Sequence, residues 1–423
     1  MPEKIKKYRD KSRLFIKGKF TEDGAGWLFL QQLIIAPMSL LTTVLLAKIL
    51  SISDYGYYKY VLSVYSIVAV FGLTGFYSIA SLNIQRGQDA FFYIGFRYRK
   101  ILRWIPAILS LCISSYYFIM GNIFFGVLFL ISIFSHLFVD LYDFYTVGTS
   151  GRGNFKLNAT LSILNYFLSF FPPIIVAYYT HNLYYVFATM FLFQFLFRFF
   201  TFKYVSKKLK FNESKNQEID LQVKDNFKKE SIAYSTNNMF ANLGGNLSGA
   251  VVFNRLGAES NAIYSLAITF ADFAYGMLIA PASKLLFTLS KMTKEGSDAG
   301  KKIRYVKSVM KKYFISSLLL AILCALALPY VYAILFPKYV FSYKYAVIYS
   351  ISILSVIFYP AYYYFLEKRN LIMMNIVQIS VLAINIIGMF LGAMYFGVMG
   401  AIIVAIIIKF LNNFVYALFL RKE

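Results

Sequence analysis

Charged and amide side chains stand inside long apolar runs of this chain. A charge at the centre of a bilayer costs about 2.5–3.5 kcal/mol or more, so each needs a reason to be there. Lys48 ends one run and Arg255 ends a later one, in LLAKILSISDYGYY and VVFNRLGAESNAIY. Their positions match to within one residue, counted back from Gly56-x-Tyr58 and from Ala262-x-Tyr264. Two cations on one cavity would bind an anion such as a phosphate, whereas each alone could snorkel to the headgroup layer. Lys409 lies about halfway along AIIVAIIIKFLNN, too deep to snorkel, and requires a partner or a wet cavity. Asp272, central in another run, is a candidate partner, although no spacing fixes that pairing. Asn238, Asn242 and Asn246 recur every four residues, with Tyr234 one turn earlier, and so share a helix face. Such a ladder glues helices together or lines a hydrated path suited to sugars. His136, Asp140 and Asp143 form another face. An aspartate beside a histidine can take up a proton or Na⁺. Asp140 and Asp143 also approach a helix end, where water would simply solvate them.

Other chemistry lacks its residues. There is no phosphate-binding Gly-rich loop, no HExxH and no paired-cysteine pattern, so neither a metal nor a cofactor is expected. Cys112 and Cys324 each sit in an apolar run and read as small fillers. The predicted outer turns are too short for the catalytic loop of a glycan polymerase. The sequence therefore reads as a transporter and not an enzyme.

The elements that position these residues follow from composition. Of 423 residues 59% are hydrophobic and 19% aromatic, gathered into repeated runs of span length. This is an all-α polytopic membrane protein. An outer-membrane barrel would show short alternating segments instead. The net charge of +24 falls in blocks between apolar runs, the pattern of topology and not of nucleic-acid binding. The blocks predict twelve transmembrane helices with both termini cytoplasmic and an uncleaved first span. Only Lys48, Lys59, Arg255, Lys338, Lys344 and Lys409 fall outside cytoplasmic segments and helix ends.

Four regions are expected. Residues 1–26 form a basic cytoplasmic segment on the anionic lipid surface, carrying Lys4, Lys6, Lys7, Arg9, Lys11, Arg13, Lys17 and Lys19. Residues 27–203 hold the first six helices, 204–230 a polar cytoplasmic linker, and 231–423 the last six. The predicted helices run at 27–50, 57–82, 101–120, 122–146, 157–179 and 183–203, then 231–254, 261–287, 313–335, 343–366, 371–395 and 397–420. Pro37 should bend the first helix and serve as a hinge, with its freed carbonyl facing protein or water. Because the halves share one in–out sense they are parallel repeats, an arrangement that encloses a central cavity.

The first hairpin, LLAKILSISDYGYYKYVLSVYSIV, resembles the start of polysaccharide-export proteins, through Ala47, Lys48, Leu50, Asp54, Tyr55, Gly56 and Tyr58. LGAESNAIYSLA is similar to that family's second hairpin, with Ala262 where glycine is usual, and GVMGAIIVAIIIKF to its last helix. The family is the O-antigen flippase (Wzx-type) branch of the multidrug/oligosaccharidyl-lipid/polysaccharide (MOP) exporters. The resemblance implies two six-helix bundles around a cationic cavity, in the bacterial inner membrane. It implies passage of undecaprenyl-diphosphate-linked oligosaccharide to the periplasmic leaflet by alternating access, for O-antigen and lipopolysaccharide biosynthesis. It also implies a monomeric transport unit, working beside proteins that polymerise the glycan and set its length. A cation-coupled drug or metabolite antiporter of the same superfamily is the alternative.

Overall fold

The computed structural model describes residues 26–214, 219–279, 285, 288–289, 292–293, 296, 298–368 and 371–420. The basic amino-terminal block and the last three residues, Arg421 to Glu423, lie outside the described residues. Among those described there is no strand. Among the described residues nine helices are long and apolar enough to cross a membrane, and the bent pair Ile52–Val70 and Gly75–Gln85, at 56°, makes a tenth when counted as one broken span. Two of the nine double back. Leu221–Ile279 is broken at Gly257 (φ 84°, ψ −178°) and Leu371–Leu420 at Gly397 (φ 58°, ψ −142°). Both φ values lie where a side chain is strained and glycine is not, which lets an apolar run reverse without a loop. Counting each as two spans restores the twelve predicted from charge.

Helix boundaries shift from their expected places wherever apolar residues hide among charges. The Phe91–Leu102 helix extends into the basic block because Phe91 and Phe92 are fully buried. The described residues of the expected polar linker are largely helical. Leu183–Lys208 runs into it, a short 3₁₀ turn spans Phe211–Ser214, and the next helix starts at Leu221. Phe211 and Phe227 anchor it in the core with Phe76, Phe91, Phe92 and Phe144. Helix Gly26–Ile49 runs continuously through Pro37, which lies on an exposed face.

Contacts divide the chain into two compact units. One takes the chain up to Thr42 together with Phe71–Ser235, and the other takes Thr43–Val70 with Thr236–Glu423. The core of the first is a stack of aromatic rings, with Phe92 lying 4.3 Å from Phe211 and 5.4 Å from Phe202, both nearly parallel. In the second, Tyr364, Phe365, Met374 and Tyr416 pack with Leu285 and Leu289.

Candidate functional site

In the second unit Asp272 and Lys409 meet. The ion pair joins the helix after Gly257 to the helix after Gly397. The Lys409 ammonium lies 4.4 Å from the Tyr275 ring centroid and 5.1 Å from that of Tyr349. The Tyr349 hydroxyl donates to the same Asp272 oxygen at 3.0 Å. One turn beyond Lys409, the Asn413 amide donates to the Tyr275 hydroxyl at 2.9 Å and to the Ser355 carbonyl at 3.4 Å. The ammonium is thus held by one carboxylate and two aromatic faces, the usual components of a cation box. The pair is not sealed, since the Lys409 and Asp272 side chains are 23% and 42% exposed. An exposed pair can exchange partners with a competing ion at far lower cost than a dry one.

The hairpin residues of the same unit come together at its other landmark. The Asn261 amide donates to the Gly56 carbonyl at 3.0 Å, and Gly56 lies so close to Ala258 that a Cβ there would collide with backbone. Tyr60 stacks on Phe253 at 3.9 Å. The Lys338 ammonium donates to the carbonyls of Lys48 (2.8 Å) and Leu50 (3.1 Å), which caps the end of the Gly26–Ile49 helix. The side chains of Lys48 and Arg255 are both exposed, and the Arg255 guanidinium lies 3.8 Å from the Phe390 ring. The two cations therefore share a unit and a degree of exposure, but Arg255 has an aromatic neighbour and Lys48 has a carbonyl clamp at its backbone.

The asparagine ladder is less connected than its spacing suggests. Asn246 donates to the Asn242 carbonyl of its own helix, and Asn242 is exposed. The interhelical bond at this height comes from Asn385, whose amide donates to the Gly244 carbonyl at 2.6 Å. The small-residue side of the helix makes the joint, as close packing in membranes requires.

In the first unit His136 and Asp140 meet at 3.1 Å, with His136 fully buried. The expected continuous helix face is interrupted here. Ser135–Val139 is a π-helical turn, and a separate short helix, Asp140–Tyr142, follows. The extra residue per turn rotates Asp143 away from His136 and onto Arg198, at 3.5 Å. A π turn leaves carbonyls without regular helical donors. Arginines supply them: Arg103 donates to the Leu137 carbonyl at 2.6 Å and Arg198 to that of Val139 at 3.4 Å. Tyr77 donates to the Asp140 carbonyl, and buried Arg99 donates to the Gly72 carbonyl and, at 3.2 Å, to the Tyr77 hydroxyl.

The sequence marks the three carboxylates Asp140, Asp143 and Asp272 but not Tyr77, Arg99, Arg198, Tyr275, Tyr349 and Asn413. Arg198, five residues from the end of the expected helix 183–203, passes for a helix-end charge. Asn413 was legible as the residue one turn beyond Lys409. The tyrosines were not, being three among 36.

Comparison with family models and with curated protein sequences finds no match. Solved structures do match. The inward-facing conformation of a multidrug resistance MATE family transporter of the MOP superfamily gives a TM-score of 0.68, at 12% identity over 93% of this chain and 97% of that one. A Vibrio cholerae MATE transporter, VcmN, gives 0.61 at 15% identity, over 94% and 96%. The outward-facing conformation of a multidrug resistance MATE transporter gives 0.59 at 14% identity, over 96% of each chain. The chain is a multi-pass membrane protein with the fold of MATE transporters of the MOP superfamily.

Proposed function

We propose that the protein is a secondary transporter whose cargo is a lipid with an anionic head, of the undecaprenyl-diphosphate-linked oligosaccharide class. The observation that carries this reading is a mismatch of charge. Asp140, Asp143 and Asp272 each have a basic partner. Lys48, Lys59, Arg255 and Lys338 have no carboxylate partner among the described residues. The carboxylates inside the spans are thus already paired and attract a cationic solute poorly. Asp54 and Glu259, in the hairpin turns, meet Ser51 and Ser53 and no base among the described residues, but the four unmatched cations outnumber them and attract an anion. A diphosphate carries about two negative charges, whose transfer into the membrane such cations would offset. Lys48 and Arg255 would meet the head, Lys409 would join them after leaving Asp272, and the amides of Asn238 and Asn242 would offer bonds to sugar.

A second reading is a cation-coupled drug or metabolite antiporter, and the solved structures favour it over the flippase. Two of the three structures reported above are of multidrug resistance transporters. In this reading Asp272, and His136 with Asp140, would be the sites at which a proton or Na⁺ exchanges with cargo. The two separate in proteoliposomes containing the purified protein. The flippase reading expects a fluorescent polyprenyl-diphosphate oligosaccharide to reach the opposite leaflet only when the protein is present. Efflux of a cationic dye on an imposed proton or Na⁺ gradient, with no movement of the glycolipid, would install the antiporter instead.

A further inference from the structure

The first unit carries an apolar groove that ends in a basic pocket. The groove, about 470 Å³, lies between helices Phe155–Thr180 and Leu183–Lys208, and its walls include Leu161, Leu168, Phe193, Phe200 and Tyr204. Leu168, Phe193 and Phe200 are exposed along it. The pocket, about 540 Å³, is lined by Asp89, Arg152, Asn154, Lys208, Lys210 and Glu213, among others. One residue pair joins the two: the Lys208 ammonium donates to the Tyr204 hydroxyl at 3.0 Å and lies 5.3 Å from its ring.

Their positions along the spans match a lipid in one leaflet. The pocket sits where spans Ile123–Gly151 and Leu183–Lys208 end and span Phe155–Thr180 begins, so it marks a membrane surface. At 1.5 Å per residue, Leu161 and Leu168 stand roughly 9 and 20 Å from the start of their helix, and Tyr204 and Phe193 roughly 6 and 22 Å from the end of theirs. Half of a 30 Å hydrocarbon core is about 15 Å, so the groove runs the depth of one acyl chain.

The pocket's charges select the head. Arg152 pairs with Asp89, which leaves Lys208 and Lys210 to meet an anion. A phosphodiester carrying a hydroxylated substituent suits this pocket, with phosphate at the lysines and hydroxyl at the part-exposed Asp89–Arg152 pair. We infer that this groove and pocket bind one anionic glycerophospholipid of the phosphatidylglycerol class, acyl chain between the two helices and head in the basic pocket. Basic pockets between transmembrane helices bind anionic heads in this manner. Glu213 also lines the pocket and disfavours a doubly charged phosphate monoester, so phosphatidic acid should bind less well.

The test is native mass spectrometry of the full-length protein, released from micelles carrying equal phosphatidylglycerol, phosphatidylcholine and phosphatidic acid. One retained phosphatidylglycerol is expected, in preference to both others. In a Lys208→Gln/Lys210→Gln variant the preference over phosphatidylcholine should fall by about fivefold or more. Leu196 also lines the groove, and Leu196→Trp, which fills it, should lower retention of all three lipids alike. Equal retention of phosphatidylcholine and phosphatidylglycerol by the wild type would overturn the inference, and this arm needs no variant to fold. Displacement of the lipid by inorganic phosphate would make the pocket a free-phosphate site. Displacement by a polyprenyl diphosphate at equal concentration would make it a cargo site, and either result ends the assignment to a bilayer phospholipid.

Discussion

The two units hold their membrane carboxylates in opposite ways. Asp140 is tied from many sides: its carbonyl accepts from Tyr77, its carboxylate meets buried His136, and arginines at 99, 103 and 198 bind the carbonyls around it. Asp272 depends on one ammonium and one phenol, and both charges are part-exposed. A network satisfied from many sides is rigid, because losing any member strands the rest in a low dielectric. A single half-exposed pair can open and close. The first arrangement holds a shape, and the second can change partners during a transport cycle.

The largest effect is expected where the network is densest. Arg99→Met should lower stability by about 3 kcal/mol, since it strands the Gly72 carbonyl and the Tyr77 hydroxyl. Thermal unfolding in detergent would show this as a fall in midpoint with transport per folded molecule preserved. Lys409→Met should do the reverse, with transport falling roughly tenfold and the midpoint moving little, because Asp272 is part-exposed and retains Tyr349. If Lys409→Met unfolds the protein as severely as Arg99→Met, the contrast between the units fails. A double-mutant cycle on Asp272→Asn and Lys409→Met sharpens it further. The coupling read from thermal stability should be about 1 kcal/mol, near the low end for contacting residues. Tyr349→Phe should cost about 1 kcal/mol or less, the net value of one hydrogen bond. Asn242→Ala, on an exposed face, should stay within about 0.5 kcal/mol.

Much of this was legible in the residues. Charge blocks and run lengths predicted the twelve spans, because hydrocarbon excludes charge so strongly that topology is written into composition. Lys409 and Asp272 declared themselves as charges in apolar runs, but their pairing required two spans brought together by reversals at Gly257 and Gly397. The π turn at Ser135–Val139 was invisible, since sequence periodicity cannot distinguish a helix from one carrying an extra residue in a turn. The charged stretch around Phe211 and Phe227 read as a free linker because two buried rings weigh little against many lysines and glutamates. The stripe of asparagines was correctly located on one helix, yet the neighbouring helix bonds to the glycine and serine side instead.

The most direct measurement of the cargo assignment is glycolipid flipping in proteoliposomes under an imposed membrane potential. A head bearing two negative charges gains about 4–5 kcal/mol per 100 mV on leaving the negative side. A cargo of that kind should therefore cross faster when the loaded leaflet is made negative and slower when it is made positive. A rate indifferent to the potential, or faster toward the negative side, would contradict an anionic cargo.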